Sequence, residues 1–398
     1  MTKRQKIIIS CGGTGGHIFP GLEIAKALQK KAPNLDIIFV GALGRMEMNK
    51  IPKAGFSIIG IWIQGIHRKS IIRNVFLPIK LIVSIIQALF ILLYHKPVAV
   101  IGTGGFASFP ILWVSSFLRI KTYIQEQNCY AGLANRLLSK RAHRIFVAHD
   151  NMSNFFPEKK ILNFGNPVRK SLKINSISKA SSRSFFGLEN NVFTVLFVGG
   201  SLGAEPINNA LLRYLNDVDL WKNDTSSLSE NRFQLIWQTG LKHYDKIQNQ
   251  IDSVYLEDNN SDKLPGVNKK NIKVAVFPFI DRMDLAYNAA DLVVSRAGAI
   301  AIAEICFLSK ASILIPSPYV TDNHQKRNAE YLSKNNAAIM IENKGLISIE
   351  DLITNIYSFM KNLSCLRQTG ENANNLFNYN AAEDIVNTVF KDIQNSER

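Results

Sequence analysis

Four glycines fall within the five residues Gly12-Gly13-Thr14-Gly15-Gly16, one residue after the apolar run Lys6-Ile7-Ile8-Ile9-Ser10 and directly before His17. No other feature narrows the possible folds as much. A strand that ends in clustered glycines and turns into a helix leaves several backbone N–H groups without partners. Glycine admits the unusual dihedrals and the close approach, and the helix start adds partial positive charge. Together they make an anion site. The pattern recurs at Gly102-Thr103-Gly104-Gly105 and at Gly199-Gly200-Ser201-Leu202-Gly203. A single such cluster can be an ordinary tight turn, whereas three at strand-to-helix turns point to phosphate chemistry. After the first, the expected helix opens at Pro20-Gly21-Leu22, with proline in the first turn.

Around these loops short apolar runs alternate with helical ones, as in parallel sheets wrapped by helices. Strands are expected at 6–10, 36–41, 98–102, 121–125 and 144–148, and again at 193–199, 233–238, 273–277, 291–295 and 312–316, with helices such as 21–31 and 107–118 between them. Each half reads as its own doubly wound α/β unit, and 398 residues suit two domains. The expected division is 1–166, then 167–375 after Gly165-Asn166-Pro167-Val168-Arg169, with a terminal helix in 376–398 that could return to the first domain. The polar stretches 219–232 and 258–270 read as surface loops.

The formal charge of +16 draws anionic partners. Without an arginine-rich arm, zinc spacing or aromatic RNA-binding strand, nucleic acid ranks below a phosphorylated substrate or an anionic lipid surface. Cys11, Cys129, Cys306 and Cys365 stand far apart, which fits reduced thiols rather than a disulfide frame or metal site. The amino-terminal residues lack the apolar region of a signal peptide, so export is not expected. Neither half completes the dinucleotide fingerprint, and no acidic residue closes 234–240, which ends in Gln238-Thr239-Gly240. That weakens a nicotinamide reading, while a nucleotide-sugar diphosphate needs the same amide cradle without the acid.

Residues 75–95 nearly match a bilayer in length, but Pro78, Lys80, Ser84 and Gln87 interrupt them. His67, Arg68, Lys69 and Arg73 lie just before. Two readings stand: a core helix with a solvated basic loop, or a helix lying on an anionic membrane surface.

The ordered motifs from Lys6 to Asn343 resemble the MurG family of membrane-associated bacterial glycosyltransferases. They are Gly12 to Pro20, Gly44-Arg45-Met46-Glu47, Gly102-x-Gly104-Gly105, Glu126-Gln127-Asn128, Gly165 to Arg169, Gly199-Gly200-Ser201-x-Gly203-Ala204 and Ser295-Arg296-Ala297-Gly298-Ala299. The resemblance implies an α/β fold of the GT-B class, two Rossmann-like doubly wound domains facing a cleft. It implies inverting transfer of N-acetylglucosamine from UDP-N-acetylglucosamine to the 4-hydroxyl of the muramoyl sugar on undecaprenyl-diphosphate-linked lipid I, giving lipid II. It also implies peripheral attachment at the cytoplasmic face of the plasma membrane, possible cell-wall synthesis proteins as partners, and no cofactor. Carried over by motif, Thr14, Gly15, Gly16, Asn128, Arg169, Ser201, Ile280, Ala299, Ile300, Ala301, Ile302, Ala303, Glu304 and Gln325 line the donor site. Gly13, Gly104 and Gly105 are expected at the acceptor diphosphate. Gln125 stands where relatives often carry His, Phe106 where Tyr is common, and Ala301 where a hydroxyl is frequent.

Each assignment has its chemistry. Glu304 can accept both ribose hydroxyls, or be an ordinary first-turn acid. Ser201 suits a diphosphate, or a simple N-cap. Gln325 can donate to and accept from sugar hydroxyls, and Arg169 can reach phosphate or brace the hinge. His17 is the expected base for the acceptor hydroxyl, with a phosphate-binding donor and a loop-shaping cap as alternatives. Glu126 is the rival base. Asp217-x-Asp219 mimics a metal-binding pair but reads as solvated surface, so no metal is expected.

Overall fold

A computed structural model describes residues 4–66, 72–200, 202–216, 232–257, 272–320, 323–343 and 346–397. The chain divides into two compact units, Met1–Arg169 with Asn378–Arg398, and Lys170–Phe377. Both fold as the alternation predicts, each around a wholly parallel sheet.

In the first unit seven strands run in chain order: β1 Lys6–Ser10, β2 Asp36–Ala42, β3 Ser57–Ile61, β4 Ala99–Gly102, β5 Lys121–Glu126, β6 Arg144–Val147 and β7 Ile161–Asn163. Their order across the sheet is β3-β2-β1-β4-β5-β6-β7. Ile7, Ile8 and Ile9 of β1 are fully buried because helices cover both faces of this central strand. The chain winds outward from β1 through β2 to β3, then returns to lay β4 on the other side of β1. That reversal opens a crevice beyond the carboxyl ends of β1 and β4. The loops that leave those two ends are the first two glycine clusters.

The second unit repeats the device. Its strands are β8 Phe193–Val198, β9 Phe233–Gln238, β10 Val274–Phe277, β11 Leu292–Ser295, β12 Ala311–Leu314 and β13 Ile339–Met340, in the order β10-β9-β8-β11-β12-β13. The switch lies between β8 and β11, where the third glycine loop and Arg296-Ala297-Gly298 emerge.

Three strands absent from the sequence expectation, β3, β7 and β13, each form a sheet edge. These strands carry a single buried residue among them, Ile61; β7 and β13 are only three and two residues long, and Gly60 breaks the pattern of β3. The first helix also starts earlier than expected, at Gly15, and Pro20 lies inside it. Proline there merely withholds one N–H from the carbonyl four residues back. His17 consequently sits in the first helical turn rather than ahead of the helix.

The helix Leu77–His95 is the one described helix long and apolar enough to cross a membrane by length and composition, and only 17% of its apolar window is buried. Pro78 opens the helix rather than interrupting it. Ser84, Ala88 and Leu92, four residues apart, form its narrow buried stripe, while Ile79, Ile82, Ile86, Phe90 and Leu93 are exposed. The polar residues have local work. Gln87 accepts from the Trp62 amide at 2.8 Å, and the Lys80 ammonium donates to Gln64 at 2.6 Å and lies over the Trp62 ring. So narrow a buried stripe does not suit a core helix. His67, Arg68 and Lys69 lie outside the described residues, as does the Arg73 side chain.

The last helix, Ala381–Glu397, packs on Gly15–Lys31 and adds Ile385, Val386, Val389 and Ile393 to the core of the first unit. Its buried Asp392 faces His143 Nε2 at 3.3 Å, Arg144 Nε at 3.7 Å and the Tyr123 hydroxyl at 3.4 Å.

Candidate active site

At the carboxyl end of β1 the first glycine loop is braced by a residue 34 positions further along the chain. Glu47 is fully buried, and its carboxylate accepts from the Gly13 amide at 3.2 Å to each oxygen and from the Ala42 amide at 3.0 Å. A Cβ on Gly12 would come within 2.8 Å of Glu47 Oε1, so glycine is required there by packing. The Gly13 amide is thus engaged by Glu47 in this structure. What remains for an anion is the start of the helix. Gly15 and Gly16 occupy its first turn, where amides have no intrahelical carbonyl. Thr14 does not cap them with its side chain, and that turn holds no acid.

The His17 ring is held from two sides. Its Nδ1 lies 3.0 Å from the Gly12 carbonyl and 3.2 Å from Thr14 Oγ1. A carbonyl only accepts, so Nδ1 carries the proton and the neutral ring has its lone pair on Nε2. On the other side, Gly104 and Gly105 have φ of +95° and +82°. A Cβ on Gly104 would sit 2.8 Å from His17 Cδ2, and one on Gly105 would sit 2.2 Å from the Gly12 carbonyl oxygen. Thr103 Oγ1 donates to the His17 carbonyl at 2.7 Å. These two glycines let the second loop lie directly on the first and fix the imidazole between them.

Beside this pair, the end of β5 carries a buried amide network. Gln125 Nε2 donates to Asn166 Oδ1 at 3.0 Å, Asn166 Nδ2 to the Gln127 carbonyl at 3.1 Å, and Gln127 Nε2 to the Thr103 carbonyl at 2.7 Å and to Gln125 Oε1. Gln125 thus has a full structural role. Glu126 is 2% exposed, and its two oxygens take four donors: the Asn128 amide and side chain at 3.1 and 3.2 Å, the Gly132 amide at 2.9 Å and Asn135 Nδ2 at 2.8 Å. That geometry organises the loop that displays Asn128. Arg169 lies over the Phe19 ring at 4.3 Å, and Phe19 in turn abuts Gly15.

The second unit presents a parallel arrangement at its own switch point. Gly203 and Gly240 pack backbone to backbone; a Cβ on Gly203 would lie 2.0 Å from the Thr239 carbonyl oxygen. Gln238, which sequence reading noted only for not being acidic, ties the site together. Its Nε2 donates to the Gly200 carbonyl at 3.0 Å and its Oε1 accepts from the Ile280 amide at 2.9 Å. Ser201 lies outside the described residues, as do Asp217 and Asp219.

The helix Ala299–Phe307 follows Gly298 with no side-chain cap and no acid in its first turn, the same uncapped start seen at Gly15. Ala299, Ile300, Ile302 and Ala303 are buried, and Ala301 is half-buried. Glu304 falls in the second turn, so it is not a first-turn acid. It is 5% exposed and accepts from the Tyr287 hydroxyl at 3.1 Å. Gln325, second residue of the helix His324–Lys334, accepts from the Ser317 amide at 2.8 Å, which leaves its NH₂ to donate. Arg296, not singled out for a role from sequence, donates to the carbonyls of Ile315 and Pro316 at 3.0 and 3.2 Å and so fixes the segment that holds Gln325. Burial pulls its guanidinium down to about 10, still cationic at neutral pH.

Comparison with known proteins agrees with this layout. The glycosyltransferase family 28 N-terminal domain matches residues 7–147, and the family 28 C-terminal domain matches residues 194–387. A protein of Cytophaga hutchinsonii, named UDP-N-acetylglucosamine--N-acetylmuramyl-(pentapeptide) pyrophosphoryl-undecaprenol N-acetylglucosamine transferase, is 40% identical over 396 residues, covering 100% of this chain and 99% of its own. The protein of the same name from Amoebophilus asiaticus is 41% identical over 97% of this chain and 99% of its own. The crystal structure of Acinetobacter baumannii MurG superposes with a TM-score of 0.69 at 25% identity, covering 98% of this chain and 100% of that one.

Proposed function

The chain belongs to glycosyltransferase family 28, among the N-acetylglucosaminyltransferases that convert lipid I to lipid II on a GT-B fold, and from that premise we propose how its residues divide the reaction. UDP-N-acetylglucosamine is the donor and undecaprenyl-diphosphate-linked N-acetylmuramoyl-pentapeptide the acceptor. The second unit holds the donor. The uncapped amides at Ala299, Ile300 and Ala301, with Ser201, receive the diphosphate. Glu304 accepts the ribose hydroxyls, the Ile280 carbonyl meets the base, and the Gln325 amide donates to the sugar.

The first unit works on the acceptor. His17 Nε2 takes the proton of the 4-hydroxyl as that oxygen attacks C1 of N-acetylglucosamine from the face opposite UDP. The C1–O bond to the β-phosphate breaks, and UDP leaves with the electron pair, giving inversion. Gly104 and Gly105 hold the imidazole in place, and the Gly15 and Gly16 amides receive phosphate oxygens. The observation that carries this reading is the bond from His17 Nδ1 to the Gly12 carbonyl, because it leaves the basic nitrogen as Nε2. Glu126, surrounded by four donors, shapes the Asn128 loop instead.

The exposed face of Leu77–His95 lies on the anionic cytoplasmic surface of the plasma membrane, where the lipid acceptor resides. Incubation with labelled UDP-N-acetylglucosamine and a lipid I analogue should yield a disaccharide lipid and UDP. Failure to form it under conditions where the donor binds would refute the assignment.

A further inference from the structure

The acceptor carries a diphosphate, and the first glycine loop, taken alone, is short of positive charge for it. Gly13 has given its amide to the buried carboxylate of Glu47, which adds a negative charge beside the loop. The Gly15 and Gly16 amides supply only partial charge. A full cation at this loop would therefore have a clear use.

Arg45 stands in the turn after β2, the strand beside β1, and its side chain is exposed. Its guanidinium lies over the Phe106 ring, 5.9 Å from the centroid. That ring borders the loop at Gly13, where a Cβ would be 3.0 Å from Phe106 Cε1, and it is packed as closely by Gly65, where a Cβ would be 2.9 Å from Cδ1. Among the described residues Arg45 makes no ion pair. The same construction recurs at the other end of the loop, where Arg169 rides on Phe19 and Phe19 abuts Gly15. A phenylalanine platform limits the rotamers of the long side chain it carries, and a guanidinium presents a planar fork that matches phosphate oxygens.

Resting on the glycosyl-transfer reading above, we propose that Arg45, held over the glycine loop by Phe106, binds the diphosphate of the lipid acceptor. Phe106 thereby has a function as a platform that requires no hydroxyl.

The test uses the full chain and a short-chain, water-soluble lipid I analogue, so that attraction to a membrane surface does not enter the measurement. Arg45→Gln should raise the KM for this acceptor about 10- to 100-fold, the range for losing hydrogen bonds to a charged group. The kcat and the KM for UDP-N-acetylglucosamine should stay near wild type. Arg45→Lys should recover part of the loss, and Phe106→Leu, which removes the platform but keeps an apolar side chain, should show a smaller loss of the same kind. With an analogue carrying a single phosphate, wild type and Arg45→Gln should converge. An unchanged acceptor KM in Arg45→Gln, or an equal penalty on both analogues, would overturn the proposal. Calorimetric binding of the diphosphate analogue gives the same comparison without turnover. An active-site assignment that fails in the transfer assay is thus distinguished from a failure of Arg45 to bind.

Discussion

The imidazole of His17 and the backbone of Gly104 lie so close that a single added methyl at Gly104 would reach 2.8 Å from His17 Cδ2. This contact and the Nδ1 bond to Gly12 hold the ring, so its catalytic use and its placement can be tested apart. His17→Ala should cut kcat by about 10²–10⁴-fold, the range for a positioned acid–base group, with UDP affinity unchanged. Gly104→Ala keeps the imidazole but displaces it, and at φ +95° it also strains the backbone, by roughly 1–3 kcal/mol. It should lower both kcat and thermal stability. If His17→Ala instead raises only the KM for the lipid, the imidazole binds the acceptor rather than deprotonating it.

Glu126 offers the opposite case, a carboxylate with every oxygen engaged. Glu126→Gln replaces one accepting oxygen by an NH₂ that would face donors from Gly132 and Asn135 or from Asn128. The expected outcome is a loss of about 1–3 kcal/mol in folding stability, measured by urea denaturation, with the pH dependence of kcat preserved. A variant of wild-type stability whose turnover falls as far as that of His17→Ala would make Glu126 the base.

What the sequence made legible follows from distance along the chain. The glycine loops announce themselves because each is contiguous and follows a buried strand such as Ile7-Ile8-Ile9. Their supports do not. Glu47 meets Gly13 across 34 residues, Gln125 meets Asn166 across 41, and Gln238 meets Ile280 across 42. Those pairings are created by strand order, which places β2 beside β1, β6 and β7 in turn beyond β5, and β10 beside β9. The motif Gly44-Arg45-Met46-Glu47 was visible, but nothing local showed that Glu47 would turn inward and Arg45 outward. The edge strands β3, β7 and β13 were illegible for a different reason: β7 and β13 are three and two residues long, and Gly60 interrupts β3, so none carries enough apolar periodicity to stand out.

At the donor site, Glu304 and Tyr287 separate binding from support. Glu304→Ala should weaken UDP binding by roughly 1–3 kcal/mol, the scale for hydroxyl partners left unpaired. Tyr287→Phe removes only the hydroxyl that donates to Glu304 at 3.1 Å, and should weaken UDP by less. Isothermal calorimetry on both variants decides. Unchanged affinity in Glu304→Ala would take that carboxylate out of the site.

His149 makes the stability of the first unit depend on acidity. Burial pushes its imidazole down to about 4 from an ordinary 6.5, against the opposing influence of its bond to the Gln127 backbone and the charge of Asp150. The unfolded chain therefore takes up a proton near pH 6.5 that the folded chain refuses until about pH 4. Its stabilising contribution is complete above pH 6.5 and is lost as the pH falls through that window, on the order of 1–3 kcal/mol. His95 and His143 are also pulled down by burial and act in the same direction. Urea denaturation of wild type at pH 7 and pH 5 should show the loss, and His149→Gln should make it smaller without abolishing it. Parallel pH dependences in wild type and variant would show that His149 gives up its proton as easily folded as unfolded.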